Sequence, residues 1–307
     1  MNLLQASASP HERTPLRTGH IMGLVLLALL PAAVHGCFSF GLQAMFVLLA
    51  TTGSAVLFEC AARLIFRRPQ TILDGSAAVT GLLVGLNLPP TIPVWQAVIG
   101  SFAAIVVVKQ MFGGLGQNFA NPAIVGRIVL MISFPSAMTA WTGAGTDAVS
   151  SATPLVSGNA EYWDLFLGNT AGCIGETCAA ALLLGGIFLC IWRVITPVIP
   201  LSYLGSFALF TWLSGNDPLY QVLSGGLMLG SIFMATDYVT SPITPFGKLI
   251  FGIGCGGLTF LLRQFSGYPE GVSFAILLMN LLTPYIDRFT RIKPFGAVTG
   301  EKEASNE

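Results

Sequence analysis

The chain has 307 residues, with 14 Lys or Arg and 14 Asp or Glu, so charged residues make up 9% and the formal net charge is zero. A soluble domain carries about 25% charged residues, and so few charges beside an apolar fraction of 53% cannot cover a surface in water. The solvent that fits is lipid, where each span needs about 20 apolar residues, and a zero net charge carries no signature of nucleic-acid binding.

Residues 1–18 form a polar N-terminal tail. The first apolar run follows His11, Glu12, Arg13 and Arg17, with no clear small-residue cleavage site after it, so it reads as a retained span rather than a secretory signal. Apolar runs then cover about 19–37, 38–66, 75–90, 93–112 and 119–135. A polar loop occupies 136–172. Further runs cover about 173–193, 196–213, 221–236, 246–265 and 271–287, and a polar tail fills 288–307. The expected fold is an all-α integral membrane protein of about ten transmembrane helices. Residues 19–135 form a first five-helix repeat, and 173–287 a second.

Two runs are too short to cross as plain helices. Gly75–Leu88 lies between Asp74 and Pro89-Pro90, and Gln221–Ala235 leads into Thr236-Asp237-Tyr238, with Pro242 and Pro245 beyond. Each is the third run of its half. Five spans per half is an odd number, so the second half is expected to be inverted. Interrupted, Gly-rich segments at matching positions of inverted repeats point to a central site. Their exposed backbone must face protein, water or a ligand.

Orientation follows from the basic residues. With the N-terminus in the cytoplasm, the inner side receives Arg13, Arg17, Arg63, Arg67, Arg68, Lys109, Arg193, Lys248, Arg288, Arg291, Lys293 and Lys302. The outer side receives only Arg263, and Arg127 falls within a span. Both termini are thus expected in the cytoplasm, and the 136–172 loop outside.

Three stretches stand out for chemistry. Phe112-Gly113-Gly114-Leu115-Gly116-Gln117-Asn118-Phe119-Ala120-Asn121-Pro122 has glycines that permit tight turns and close backbone approach. Asn118 and Asn121 can donate and accept hydrogen bonds, and the flavoprotein resemblance given below makes them candidate flavin or ion contacts. A tight turn between spans explains the same residues. Arg127 costs about 2.5–3.5 kcal/mol at the bilayer centre on insertion scales and must find a partner. That partner is a flavin phosphate or reduced flavin on one reading, and Glu59, Glu176 or backbone carbonyls on the other. The third stretch is Asp147-Ala148-Val149-Ser150-Ser151-Ala152-Thr153, in a loop of small and hydroxylated residues that also suits a plain connector.

His11, His20 and His35 have no metal spacing and support no hydrolytic triad. The six cysteines include no Cys-x-x-Cys pair, so metal or iron–sulfur ligation within this chain is not expected.

Asp147-x-x-Ser150-Ser151-Ala152-Thr153 resembles the acceptor motif on which flavin transferases load FMN as a phosphoester of the final threonine. Asp74 to Leu83, Gly113 to Pro122, Asp147 to Thr153 and Ala235 to Pro242 resemble, in order, the D subunit of the bacterial Rnf electron-transport complex. A more distant likeness is to the B subunit of the sodium-pumping NADH:quinone reductase. Tyr238 departs from the proline more usual there. The resemblance implies an inner-membrane flavoprotein with FMN on Thr153. Asp147, Ser150 and Ser151 would be recognised by a separate flavin transferase. It implies partners in the other Rnf subunits, which pass electrons between NADH and ferredoxin while moving sodium ions or protons. Whether a second, non-covalent flavin binds stays open. The alternative is an inverted-repeat solute channel or transporter without redox function, which would have no need of the 147–153 loop.

Overall fold

The computed structural model describes residues 17–142, 149–150, 154–158, 160–266 and 271–291. Thr18–Ile65 is one run of helical residues, α1, broken at Gly41, where φ is 72° and ψ −159°. A straight helix of 48 residues would extend about 72 Å at 1.5 Å per residue, against a hydrocarbon core of about 30 Å. The chain instead doubles back. At the start of α2 (Ser76–Leu86), a Cβ on Gly75 would lie 3.4 Å from Met22 Cβ, and Ser76 shares Lys109 with Glu59. At the far end of α2, Gly85 abuts Leu48 and Thr51. Met22 and Glu59 therefore lie at one end of the bundle, and the reversal falls at Gly41. Only a residue without a Cβ adopts that backbone without strain. The two expected spans 19–37 and 38–66 are the two arms of this hairpin.

Helix α2 has 11 residues and so covers about 16 Å, roughly half of a bilayer core. Val94–Phe102 (α3) continues as a π-helix through Ala103–Gln110. Pro122–Ser133 (α4) starts on an Asn121 cap. Short helices follow at Pro135–Met138 (α5), Pro154–Ser157 (α6) and Tyr162–Leu167 (α7). Two-residue strands β1 (Trp141–Thr142) and β2 (Val149–Ser150) pair antiparallel, Trp141 with Ser150. The second half comprises α8 (Ala179–Ile191), α9 (Val198–Leu213), α10 (Pro218–Leu223), α11 (Leu227–Leu229), α12 (Pro245–Phe265) and α13 (Val272–Phe289). Helix α11 runs on as a π segment through Gly230–Met234.

Among the described residues the regular elements are thus all helical apart from one small ladder. Three helices, α1, α12 and α13, are long and apolar enough to cross a membrane, and five shorter apolar helices accompany them. Large apolar side chains face outward, among them Phe38, Leu42, Leu57, Leu201 and Phe265. The core is built on small residues that let backbones approach. A Cβ on Gly81 would sit 2.7 Å from Thr51 O and from Ala55 Cβ.

One expected span is corrected. The run read as helical from residue 173 becomes helical only at Ala179. Residues 173–178 dip into the bundle instead. Ile174 N donates to Leu88 O (3.0 Å) and Gly175 N to Leu86 O (2.8 Å). These bonds supply partners near the end of α2, where helix carbonyls have no intrahelical donor.

Basic side chains gather at one end. Arg63, Arg68, Lys109, Arg193, Lys248 and Arg288 all lie there, tied through Lys109–Glu59, Arg68–Gln110, Tyr238–Val194, Lys248–Thr196 and Ile243–Asp287 contacts. Arg263, which bonds Gln221 O and Ser224 O, sits at the opposite end beside Leu155.

Candidate functional site

The two interrupted segments meet. Asn87, just past α2, places its Nδ2 3.5 Å from Met234 Sδ, at the end of the second π segment. Asn121 Nδ2 donates to Met234 O (3.1 Å), while Asn121 Oδ1 caps α4 by accepting from Ala123 N (3.0 Å). With its amide oriented to donate to Thr240 O, Asn280 also accepts from Asn121 N (3.1 Å). Four separate elements are cross-linked by these amides, which satisfy backbone that broken helices leave open.

Arg127 lies beside this junction and is buried. Its Nη1 donates to Glu176 Oε1 (2.7 Å) and Asn87 Oδ1 (2.8 Å), and Nη2 lies 3.6 Å from Cys173 Sγ. Of the partners considered from sequence, Glu176 is the one observed. Glu59 pairs elsewhere. The dipping 173–178 loop therefore delivers Glu176 to the middle of the bundle. Two charges so far from water require each other.

Toward the basic end a cavity of about 100 Å³ opens below the junction. Its polar lining comes from Ser76 and Thr80 of α2, Lys109, Asn118 and Asn121, and Thr236 and Asp237 beyond the second π segment. Lys109, read from sequence as an inner-surface residue, is 1% exposed. Its Nζ donates to Glu59 Oε2 (2.7 Å) and Ser76 Oγ (2.6 Å). Thr71 Oγ1 donates to Glu59 Oε1 (3.2 Å), and Arg63 Nε stands 3.6 Å from the same oxygen. Asp74 Oδ1 accepts from Ser76 N and Oγ at 2.8 and 2.6 Å. Asn118 Oδ1 is buried with no hydrogen bond among the described residues. The cavity thus offers the Lys109 ammonium, the Asp237 carboxyl, several hydroxyls and, in Asn118 Oδ1, an acceptor without a donor among the described residues.

Of the acceptor motif, Asp147, Ser151 and Thr153 lie outside the described residues, and Ser150 is in β2. The chain directly after Thr153 is well anchored. Pro154 is buried, and its carbonyl accepts from Tyr220 Oη (2.7 Å). A Cβ on Gly225 would meet Leu155 Cδ1 at 2.8 Å and Arg263 Nη2 at 3.1 Å. Arg263 stacks 5.0 Å over the Phe207 ring and donates to Gln221 O (2.6 Å) and Ser224 O (3.0 Å). This cation beside Leu155 is therefore held by the second interrupted segment. Nearby, Tyr162 Oη donates to Asp217, the cap of α10. That bond, aided by the backbone donors of Tyr220 and Leu219, holds the Asp217 carboxyl below the usual carboxylate range.

Asn118, Asn121 and Arg127 are named from sequence as candidate flavin or ion contacts; the structure places Asn121 and Arg127 at the junction and Asn118 on the cavity. Sequence reasoning misses Asn87, Lys109 with Glu59, Tyr220 and Arg263. A charged side chain inside an apolar run, as at Glu59 and Lys109, is the signal that points to such a pair.

A family model described as the NQR2, RnfD, RnfE family matches residues 5–296. The D subunit of the Na(+)-translocating ferredoxin:NAD(+) oxidoreductase complex of Acetobacterium woodii is 45% identical over 311 residues, covering 98% of each chain. The D subunit of the proton-translocating ferredoxin:NAD(+) oxidoreductase complex of Clostridium ljungdahlii is 44% identical over 320 residues, covering 96% of this chain and 97% of that one. The D subunit of the ion-translocating oxidoreductase complex of Citrobacter koseri is 35% identical over 347 residues, covering 96% and 99%.

Proposed function

The chain belongs to the NQR2, RnfD, RnfE family, and we propose that it is the D subunit of an Rnf-type membrane complex, carrying FMN on Thr153. In that complex electrons pass between NADH and ferredoxin, coupled to movement of Na+ or H+. The relatives named for sodium and for protons are 45% and 44% identical, so overall likeness does not select the ion.

The observation that carries the flavin reading is the sequence Asp147 to Thr153 in a chain that is like these D subunits along its length. The anchoring of Pro154 by Tyr220 and of Leu155 beside Arg263 supports it. A tether that begins one residue before a fixed point holds its cargo close to one place. Attachment also gives an effective concentration of about millimolar for a short flexible link. FMN supplies the redox chemistry; these residues supply position and a cation. No general base adjoins Thr153 in sequence, so a separate flavin transferase is the expected loading enzyme, acting on Asp147, Ser150 and Ser151 as recognition residues.

The arrangement in the membrane is ten spans in two inverted five-helix repeats, with both termini in the cytoplasm and the 136–172 loop outside. Supporting this, α3 packs on α1 and α4, and α12 packs on α9 and α13. Likewise α2 contacts α1 and α4, while the second π segment contacts α9 and α13. The gathering of basic side chains at one end fits the inner surface of a bacterial cytoplasmic membrane. The small inner cavity, with Asn118, Asn121, Lys109 and Asp237 on its wall, is where an ion or a second, non-covalent flavin would contact this chain. A free-standing solute channel is disfavoured by the closed junction of Asn87, Met234, Arg127 and Glu176.

The test is co-expression with a flavin transferase, followed by denaturing electrophoresis and in-gel flavin fluorescence. Wild type is expected to fluoresce and Thr153→Ala to stay dark while inserting normally. A fluorescent Thr153→Ala band overturns the assignment.

A further inference from the structure

A second, larger recess lies on the outer wall of the bundle, away from the acceptor loop and the inner polar cavity. Helices α8 and α9 form its two sides and Ile232 lies at its base. Its volume is about 440 Å³, within the roughly 300–1,000 Å³ of ligand pockets. Every lining residue is apolar, glycine, proline or cysteine, including Leu183, Ile187, Ile191, Leu201 and Leu204. Ile187, Ile191 and Leu201 are more than half exposed, so the recess opens sideways to whatever surrounds the bundle.

One end of the recess has a different character. Ile191, Ile195 and Pro197 line it, so the connection from Trp192 to Thr196 crosses its mouth. Trp192 is 58% exposed, as a residue of the aromatic belt would be. Arg193 is exposed and has φ 54°, the left-handed stop that ends α8. Lys248 Nζ reaches across from α12 to Thr196 Oγ1 at 3.4 Å. Two cations, one hydroxyl and an indole therefore sit where a purely apolar trough meets the basic end. Among the described residues neither cation forms an ion pair.

We propose that this recess is a binding site for an anionic phospholipid of the inner leaflet. An acyl chain fills the trough between α8 and α9, and the phosphate is held by Arg193, Lys248 and the Thr196 hydroxyl. Basic pockets between transmembrane helices on the cytoplasmic side suit such headgroups. A helix of a neighbouring subunit would fill the same trough but leaves the two cations without a counter-charge. Ile195 lines both this trough and the inner polar cavity. The bound lipid thus seals the lateral wall of that cavity, and this holds whether or not Thr153 carries FMN.

The test uses full-length protein reconstituted in nanodiscs of phosphatidylcholine with a minor fraction of phosphatidylglycerol. The protein is re-extracted in mild detergent and its retained lipid is quantified. Wild type is expected to retain phosphatidylglycerol stoichiometrically and well above its fraction in the disc. Arg193→Gln with Lys248→Gln should lose that preference, at about fivefold per cation. Ile187→Trp, which fills the trough and leaves the cations, should lose the lipid altogether. Unfolded variants are recognised by their melting curves, and the wild-type preference then decides alone. Retention in the nanodisc's own proportion overturns the proposal. So does unchanged retention by folded Ile187→Trp, or a partner helix occupying the trough in the intact complex.

Discussion

Arg127 Nη1 and Glu176 Oε1 lie 2.7 Å apart in the middle of the bundle, on residues 2% and 5% exposed. One comes from α4 and the other from the loop that dips in from the opposite half. Their bond joins the two halves beside the ends of both interrupted segments. Removing one partner from a buried pair costs about 3–5 kcal/mol, because the other charge is left without compensation. Arg127→Met and Glu176→Leu are each expected to lower the melting temperature sharply. The double variant, which leaves no lone charge, should recover much of the loss. Thermal unfolding in detergent measures all three; a double variant as unstable as the sum of the singles would contradict this pairing.

Much of this architecture is legible from sequence, because a span in lipid needs length and apolarity above all. The hairpin at Gly41 falls close to the expected boundary between the first two runs. Gly75–Leu88, read as too short for a plain span, contains a helix of only 11 residues. Apart from Glu176, one of the partners considered for Arg127, what escapes is pairing at a distance. Cys173 to Cys178 is apolar enough to read as a helix start, yet its backbone serves the end of α2. Lys109 reads as a surface cation because its place in an apolar run signals a partner without saying that the partner is Glu59, 50 residues away. Anchoring residues such as Tyr220 lie far along the chain from the loop they hold.

The contact between α1 and α2 depends on two glycines, Gly81 and Gly85. Gly81→Leu would drive a side chain into Thr51 O and Ala55, both backbone-proximal and unable to yield. Overpacking a tight core typically costs about 1–3 kcal/mol. Gly53, in the same arm of α1, has nothing within 4 Å. Gly53→Leu should express and melt like wild type, whereas Gly81→Leu should not. Detergent-solubilised yield and melting temperature provide the comparison, and equal behaviour of the two would refute the packing described.

Tyr220 holds the chain just beyond Thr153. Tyr220→Phe deletes the hydrogen bond to Pro154 O and the longer one accepted from Ala160 N, each worth about 0.5–1.5 kcal/mol. The loop should be cleaved faster in limited proteolysis while FMN loading on Thr153 continues. Unchanged cleavage kinetics would mean that the anchor does not restrain the loop.

Topology is open to direct measurement. Alkaline phosphatase fused within the loop at Gly143 should be active, and a green fluorescent protein fused after Arg291 should fluoresce. Nine of the described basic residues, Arg17, Arg63, Arg67, Arg68, Lys109, Arg193, Lys248, Arg288 and Arg291, belong to the end expected in the cytoplasm. An inactive phosphatase at Gly143 beside a fluorescent fusion after Arg291 would mean an even number of spans between them and would remove the inverted-repeat account.

The central claim is that Thr153 bears the flavin, and mass spectrometry of the loop tests it most directly. Trypsin is unsuited, since no Lys or Arg occurs between Arg127 and Arg193. Cleavage after aromatic residues frees the segment 142–162, from beyond Trp141 to Tyr162. After co-expression with a flavin transferase, fragmentation of that peptide should place the mass of FMN, less one water, on Thr153. An unmodified peptide, or the same mass on Thr146 or Ser151, would contradict the assignment.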